Sequence, residues 1–290
     1  MTIDASLALC IINGYPRANR QVLAEAGVTQ ADELYLRFFR GYLPHATFNV
    51  LFIADLDVSL PTGVALRDYD GFVWTGSNLT IYEDKPEVSR QIEFCRAIYQ
   101  AGVPQYGSCW GVQMAAVAAG GEVRKNPNGR EWCVARDITL SEAGRAHSLY
   151  QGKPDRFDGF IMHLDEVTRV PEGGTLLASN RHTRVQALEV RGPGGGIFWA
   201  TQYHPEYSLD EMARLLIARK RPLTQEGFFA SEQSVESYVE RLLALVASPE
   251  DGALRTELRL GPDILEDHIR QCELRNWLQH LVIPLKLEKV

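Results

Sequence analysis

A cysteine lies between two glycines in the stretch Gly107-Ser108-Cys109-Trp110-Gly111. An apolar segment precedes this stretch and an alanine-rich segment follows it. A strand that turns abruptly into a helix needs small residues two positions to either side, because the backbone folds back on itself there. A thiol at such a turn lies at a helix N-terminus, where partial positive charge favours the thiolate. The pattern predicts a nucleophilic Cys109, with a buried structural cysteine in the same turn as the alternative.

A thiolate nucleophile needs a base, and a carboxylate commonly orients that base. Of the seven histidines, His204 has a carboxylate, Glu206, at a spacing that suits such a relay. The two residues come at the predicted end of a strand, where side chains at i and i+2 point to the same side. Pro205 between them fixes its own φ and cannot extend the strand ladder. We therefore predict that His204 and Glu206 complete a triad with Cys109.

The elements that must position these groups alternate in the first half of the chain. Apolar runs at 7–12, 48–53, 71–76 and 103–109 are typical of strands, and the segments 86–102 and 110–121 have helical spacing. Strands that alternate with helices indicate an α/β fold with a doubly wound, mostly parallel sheet.

Strand candidates come close together between residues 132 and 207, which predicts an additional antiparallel β segment. The glycine run at 192–196 lies between two of these strands, and no Lys-Ser/Thr pair follows it. A hairpin loop is therefore a better interpretation of this run than a phosphate-binding loop.

The segment after Pro222 is rich in amphipathic helical patterns. We predict an enzymatic domain over 1–215 and a helical C-terminal extension over 216–290, packed on the core or placed at an oligomer or partner interface. Ser208 with Glu211, and Asp263 with Glu266, have the spacing of capping boxes at helix starts.

Composition excludes several other classes of function. The chain has 290 residues, a net charge of −7 and 45% apolar residues, which is typical of a globular protein without affinity for nucleic acid. No stretch reaches the roughly 18 apolar residues of a membrane span. The scattered cysteines lack CxxC spacing, which argues against a disulfide framework and against a zinc cluster. A reducing cytoplasm is therefore the expected location of the protein. These cysteines are Cys10, Cys95, Cys109, Cys133 and Cys272.

Three motifs together resemble those of the class I glutamine amidotransferases, and most of all stand-alone domains similar to the amidotransferase half of GMP synthase. "YGSCWGVQ" (106–113) is similar to the family's G-x-C-x-G-x-Q, and "TQYHPE" (201–206) to its Q-x-H-P-E. "DYDGFVWTGSNLTIYED" (68–84) is similar to its oxyanion loop. The resemblance runs from about residue 7 to about residue 210.

The resemblance implies a flavodoxin-like fold and a cysteine-dependent amidohydrolase that needs neither cofactor nor metal. Cys109 attacks the glutamine side-chain amide, a γ-glutamyl thioester forms and ammonia leaves. The backbone N–H groups of Ser77 and Trp110 form the oxyanion hole. The implied substrate contacts are Gly76, Gln113, Met162 and His163.

The sequence departs from the family at three positions. Ser77 replaces the usual second glycine of the oxyanion loop and would be strained if the loop required a positive φ. Trp110 is bulkier than the usual residue after the nucleophile, so we expect it to narrow or reshape the pocket. Ser108 replaces the common aliphatic residue before the nucleophile.

Three functional hypotheses remain open from the sequence. The first is a glutaminase that delivers ammonia to a separate synthetase. The second is a stand-alone γ-glutamyl hydrolase or transferase that acts on γ-glutamyl amides or peptides. The third is a non-catalytic regulatory homologue. The partners expected are glutamine or another γ-glutamyl compound, and a homodimer is an open alternative; no nucleic acid or membrane is expected.

Overall fold

The computed structural model of the protein describes residues 6–288 and contains a nine-stranded sheet with the order β2-β1-β3-β4-β11-β10-β9-β6-β7. Strands β5 and β8 form a separate two-stranded sheet. In chain order the strands are β1 (Ala8–Ile12), β2 (Thr47–Leu51), β3 (Gly71–Trp74), β4 (Gln105–Ser108), β5 (Glu122–Lys125), β6 (Glu131–Leu140), β7 (Arg156–His163), β8 (Asp165–Arg169), β9 (Gly174–Ser179), β10 (Ala187–Arg191) and β11 (Ile197–Thr201).

The sheet has a parallel half and an antiparallel half. Strands β2, β1, β3, β4 and β11 pair in parallel, whereas β11, β10, β9, β6 and β7 pair antiparallel. The predicted α/β fold with a parallel sheet and an added antiparallel segment is confirmed. The hairpin prediction for residues 192–196 is also correct, because they join the antiparallel strands β10 and β11.

Helices cover both faces of the parallel half. In chain order, the helices of the described residues are α1 (Arg17–Glu25), α2 (Ala31–Tyr42), α3 (Pro86–Ala101), α4 (Trp110–Ala118), α5 (Glu142–Ala146), α6 (Leu209–Ala218), α7 (Lys220–Gln225), α8 (Glu232–Ala247), α9 (Gly252–Leu258), α10 (Pro262–Leu265), α11 (Asp267–Arg270), α12 (Cys272–Trp277) and α13 (Ile283–Leu287), with a π-helical turn over Leu278–Val282. Strand β1 shows why both faces are apolar: Leu9 and Ile11 pack in one core cluster, and Cys10 and Ile12 in the other. Within residues 6–288, none of the helices combines the length and apolar character that crossing a bilayer takes.

The two predicted capping boxes do not form as such. Ser208 does cap α6 by accepting the Glu211 N–H at 3.2 Å, but the Glu211 carboxylate accepts hydrogen bonds from Thr29 and Arg37 instead. Asp263 lies inside α10, and its carboxylate accepts the Asp158 N–H at 2.5 Å. Tertiary partners therefore take both carboxylates that the sequence pattern assigned to local capping.

The long amphipathic pattern after residue 263 does not form one helix. It is divided into α10, α11, α12 and the segments after them, because Glu266 has an extended backbone with φ −100° and ψ 115°. The buried Arg270 guanidinium donates to Ile264 O at 2.6 Å and satisfies a carbonyl at the end of α10. Trp277 is fully buried, and its ring centroid lies 6.1 Å from that of Phe39.

The division into domains at residue 215 stays a prediction, and residues 1–5 and 289–290 of its two parts lie outside the described residues.

A buried ion pair joins the C-terminal segment to the residues before β7, and the same carboxylate contacts the residue before the predicted base. The Lys153 ammonium lies 3.0 Å from the Glu273 carboxylate, and both side chains are almost fully buried. Glu273 also accepts a hydrogen bond from the Tyr203 hydroxyl at 2.7 Å. Tyr203 directly precedes His204, so α12 contacts the backbone segment that carries the base.

We expect Glu273→Ala to lower the free energy of unfolding by about 3–5 kcal/mol, because it leaves the Lys153 charge buried without a partner. Urea unfolding measures this effect. The double variant Lys153→Met/Glu273→Leu should recover most of the loss, since it removes both charges. Glu257→Ala, which breaks the exposed Arg241–Glu257 pair, is the control and should cost less than about 1 kcal/mol. A Glu273→Ala loss as small as the control's would contradict this account.

Candidate active site

Cys109 occupies a strained turn between β4 and α4. Its φ of 53° and ψ of −95° lie in a region that side-chain-bearing residues rarely adopt, at a cost of about 1–3 kcal/mol. A hydrogen bond from its N–H to Thr201 O at 2.8 Å holds this conformation. A Cβ at position 107 would lie 2.8 Å from Gly111 Cα, so the two glycines allow strand and helix to approach each other. The predicted elbow is therefore present, with Cys109 at the N-terminus of α4.

Parallel pairing brings the predicted base to the same edge of the sheet. Strands β4 and β11 are neighbours, with Ser108 opposite Thr201, and His204 follows three residues later. The His204 N–H donates to Phe160 O at 2.7 Å, and the ring stacks on Tyr207 with centroids 4.2 Å apart. Both contacts fix the orientation of the imidazole, which is 3% exposed.

The His204 ring lies between a carboxylate and a thiol. Nδ1 is 2.6 Å from Glu206 Oε1, which leaves Nε2 for the hydrogen bond with Cys109. Burial by itself lowers the pKa of His204, but the Glu206 charge and the hydrogen bond with Cys109 outweigh it and raise the pKa to about 10. The structure therefore brings together all three residues predicted as a triad, and the imidazole can hold a proton at neutral pH.

Glu206 has a second partner that the sequence did not indicate. The Ser108 hydroxyl donates to Glu206 Oε1 at 2.7 Å and lies 2.7 Å from the Tyr35 hydroxyl. Ser108 and Tyr35 are fully buried. Because Ser108 also lies 3.3 Å from His204 Nδ1, it holds the carboxylate and the imidazole together. The departure from the aliphatic residue common in the family thus adds a hydrogen-bond donor beside Glu206, behind the predicted base His204.

The predicted oxyanion loop lies beside the thiol. A Cβ at position 76 would lie 3.3 Å from His204 Cε1 and 3.9 Å from Cys109 Cβ, so glycine is needed there for space. Ser77 does not have a positive φ, which removes the expected strain, and its hydroxyl donates to Gly14 O at 2.8 Å. The N–H of Trp110 belongs to the first turn of α4 and has no intrahelical acceptor.

The Trp110 side chain does not line the cavity in front of Cys109, contrary to the expectation that its size would narrow or reshape the pocket. Its indole is buried, and the indole N–H donates to Gln91 Oε1 of α3 at 2.9 Å. The side chain therefore points away from the cavity in front of Cys109. Its backbone N–H remains at the turn.

A cavity of about 340 Å³ lies in front of the thiol. Gln113 lines it and donates to Asp165 O at 3.3 Å, while its Oε1 is buried without a partner. Met162 O lies 3.7 Å from the Cys109 sulfur. The His163 ring is engaged by Asp165 O at 2.9 Å and Glu131 at 3.1 Å, so it is part of the wall and not a second free base.

The outer wall of this cavity comes from α7 and the residues beside it. Arg219, Pro222, Leu223 and Glu226 line it. Glu226 pairs with Arg130 at 2.7 Å, and these two residues also border a larger basin of about 1150 Å³. The chain's own C-terminal segment thus forms part of the cavity wall, and the Arg130–Glu226 pair is shared with the wall of the basin.

Several residues of the site were missed by sequence reasoning. Ser108 was noted only as a departure, and Tyr35 gave no signal because it lies on a helix in the middle of a core pattern. Tyr15 follows β1 and could have been found, since residues after parallel strands share one edge of the sheet. Arg219 follows α6 and has no local motif.

Comparisons with known proteins agree with this geometry. The family model "Glutamine amidotransferase class-I" matches residues 68–221. The γ-glutamyl-L-1-hydroxyisopropylamide hydrolase of a Pseudomonas species is 36% identical, over 93% of this chain and 95% of the relative. A glutamine-hydrolysing GMP synthase of Leifsonia xyli is 29% identical, over 53% of this chain but only 29% of the synthase.

A solved structure resembles the fold over nearly the whole chain. It is a glutamine amidotransferase from Thermotoga maritima, with a TM-score of 0.67 and 18% sequence identity. The similarity covers 96% of this chain and 99% of that protein. The helices after residue 215 are therefore part of an arrangement that the two folds share.

We expect His204 to remain protonated at pH 8, because the Glu206 charge and Cys109 raise its pKa to about 10. An NMR titration of isotope-labelled histidine rings measures this directly. Glu206→Gln should lower the His204 pKa, since it removes the carboxylate charge. Titration of the wild-type ring near the ordinary value of about 6.5 would contradict the account.

We expect Ser108→Ala to lower kcat by about tenfold with KM within about twofold. The Glu206 carboxylate loses a donor, holds the imidazolium more tightly and slows its proton transfer to the leaving group. The apparent pKa read from the pH–rate profile should therefore rise. Tyr99→Phe, which removes a buried hydroxyl bonded to Ala115 O, is the control and should leave the profile unchanged. An unshifted profile for Ser108→Ala would assign Ser108 a purely structural role.

Proposed function

The chain belongs to the class I glutamine amidotransferase family, and we propose that it acts as a stand-alone hydrolase of γ-glutamyl amides. The proposal places the nucleophile on Cys109, the base on His204 and the orienting carboxylate on Glu206. Its products are glutamate and the free amine.

The observation that carries the proposal is the extent of the similarity to the Pseudomonas hydrolase. That relative aligns with this chain almost from end to end, whereas the GMP synthase aligns over less than a third of its own length. Cysteine-dependent amide hydrolysis is common to both relatives' family. The whole-chain match favours hydrolysis of an amide without a fused or separate synthetase.

The architecture of the cavity supports a reaction that is complete within one chain. Residues from α7 and beside it wall the cavity, and the Arg130–Glu226 pair borders its opening. A cavity that excludes bulk water strengthens the electrostatic interactions inside it. A substrate can therefore be enclosed by this chain's own residues.

In the acylation step, the Cys109 thiolate attacks the amide carbonyl carbon of the substrate. The N–H groups of Trp110 and Ser77 stabilise the negative charge on the carbonyl oxygen, and each such donor contributes about 3 kcal/mol. The C–N bond breaks as the His204 imidazolium gives its proton to the departing nitrogen. A γ-glutamyl thioester remains on Cys109, and the amine leaves.

In the deacylation step, neutral His204 accepts a proton from water as that water attacks the thioester carbonyl. The C–S bond breaks, glutamate leaves, and the thiolate and imidazolium are restored. Glu206 stabilises the imidazolium in both steps, and Ser108 holds Glu206 in place. The thioester supplies an activated acyl group, so the protein's own residues suffice for the whole cycle.

A glutaminase that supplies ammonia to a separate synthetase is the second candidate. The similarity to GMP synthase over residues of the family domain favours it. The two candidates use the same thioester and differ in the substrate and in the need for a partner. Partner-free turnover of substituted amides therefore separates them.

We expect the isolated chain to hydrolyse γ-glutamyl alkylamides faster than glutamine, as measured by glutamate release. Cys109→Ala should lower the rate by at least about 10⁴-fold. Cys133→Ala is the matched control and should retain the activity, because that thiol lies 3.7 Å from the Tyr238 hydroxyl, outside the cavity. Glutamine hydrolysis alone, without turnover of any alkylamide, would favour the second candidate instead.

A further inference from the structure

Two charged side chains of the catalytic cavity have no oppositely charged partner within residues 6–288. They are the carboxylate of Asp165 and the guanidinium of Arg219. Asp165 receives a hydrogen bond from the Tyr82 hydroxyl at 3.0 Å, and Arg130 and His163, the other basic residues of the wall, lie beside Glu226 and Glu131. Unpaired charges in a cleft indicate the charges that its ligand brings.

Asp165 belongs to the end of the cavity that Gln113 lines. The Gln113 amide donates to Asp165 O, and its free Oε1 is a buried acceptor. A carboxylate and an amide oxygen suit an ammonium group. This end therefore fits the α-ammonium of the γ-glutamyl group, whose α-carboxylate must lie beside it because both are attached to the same carbon.

Arg219 acts at the end near the base. Tyr15, which also lines the cavity, has its hydroxyl 3.6 Å from the position that a Cβ on Gly76 would take, and His204 Cε1 lies 3.3 Å from the same position. Burial raises the pKa of Tyr15, the Cys109 charge raises it further, and the Arg219 charge lowers it. Leu215 of α6 lines a small cavity together with Tyr15, and Arg219 follows Leu215 by one helical turn, with its N–H donating to Leu215 O at 3.0 Å. Arg219 therefore lies on the Tyr15 side of the catalytic cavity.

The nitrogen that leaves must face the imidazole that protonates it. The amine half of the substrate consequently extends towards the base end of the cavity, where the side-chain donors of Tyr15 and Arg219 have no acceptor among the described residues. A guanidinium binds a carboxylate through two parallel hydrogen bonds, which are stronger than those to a neutral group.

We propose that Arg219, assisted by the Tyr15 hydroxyl, is a subsite for the leaving amine and selects γ-glutamyl amides whose amine half carries a carboxylate. This inference rests on the proposed function and names its substrate class. The class comprises γ-glutamyl amino acids and γ-glutamyl peptides. Arg219 determines specificity in this account and takes no part in the bond-breaking steps.

The test compares three amides of matched shape: γ-glutamylglycine, γ-glutamyl ethanolamide and γ-glutamyl propylamide. We expect the wild type to prefer the carboxylate over the propylamide by about 10- to 100-fold in kcat/KM. Arg219→Gln should abolish this preference, lowering kcat/KM for γ-glutamylglycine at least about tenfold more than kcat/KM for the propylamide. Arg219→Lys, which keeps the charge, should retain part of the preference.

Arg214→Gln is the matched control, because Arg214 is exposed on the preceding turns and pairs with Asp210 at 2.7 Å. It should keep the full preference. An equal loss on all three amides in Arg219→Gln would show that Arg219 binds the α-carboxylate and would overturn the proposal, as would a preference for the ethanolamide. Turnover of none of the amides by the wild type would contradict the proposed function itself, whereas turnover without preference would contradict only this inference.

Discussion

The buried carboxylate of Glu206 is the group on which the rest of the site depends. Its Oε1 is shared by His204 Nδ1 at 2.6 Å and the Ser108 hydroxyl at 2.7 Å, and its Oε2 is buried without a partner. A buried charge without compensation is strongly unfavourable, so the carboxylate favours a positive charge on the neighbouring ring. In the proposed mechanism, that imidazolium is the partner of the Cys109 thiolate. Carboxylate, imidazole and thiol are thus linked by one electrostatic requirement.

The fold supplies this arrangement by holding two strand ends together. Strands β4 and β11 are parallel neighbours, so the cysteine turn after one meets the His-Pro-Glu segment after the other. The Cys109 N–H bonded to Thr201 O connects the two segments directly. The glycines at 107 and 111 and this hydrogen bond hold Cys109 in its strained conformation, so the strain is tolerated. Glu273 of α12 accepts a hydrogen bond from the hydroxyl of Tyr203, the residue before His204.

The sequence predicted the features that local residue patterns determine, but not those that depend on tertiary packing. The glycines around Cys109 and the i, i+2 spacing of His204 and Glu206 reflect backbone geometry, and the strands around them follow from apolar periodicity. The hydrogen bond between Ser108 and Tyr35 was not predicted because the two residues lie 73 positions apart in the sequence. The Trp110 expectation failed because size alone does not tell which way an indole turns. The amphipathic C-terminal pattern indicated helix but not the break at the extended Glu266, where the buried Arg270 guanidinium binds the Ile264 carbonyl, an outcome set by tertiary contacts.

The α7 segment connects this chemistry to substrate choice. In the proposed function, the elbow and the triad cleave a γ-glutamyl amide, and the residues Arg219, Pro222, Leu223 and Glu226 line the cavity from which the amine departs. The most direct measurement of the central claim is rapid-quench mass spectrometry of the acyl-enzyme in wild type and Glu206→Gln with a γ-glutamyl amide. The account predicts a γ-glutamyl thioester on Cys109 that forms about 10³- to 10⁴-fold more slowly in the variant. Acylation of Cys109 at the wild-type rate without the Glu206 carboxylate, or turnover with the acyl group on another residue, would contradict it.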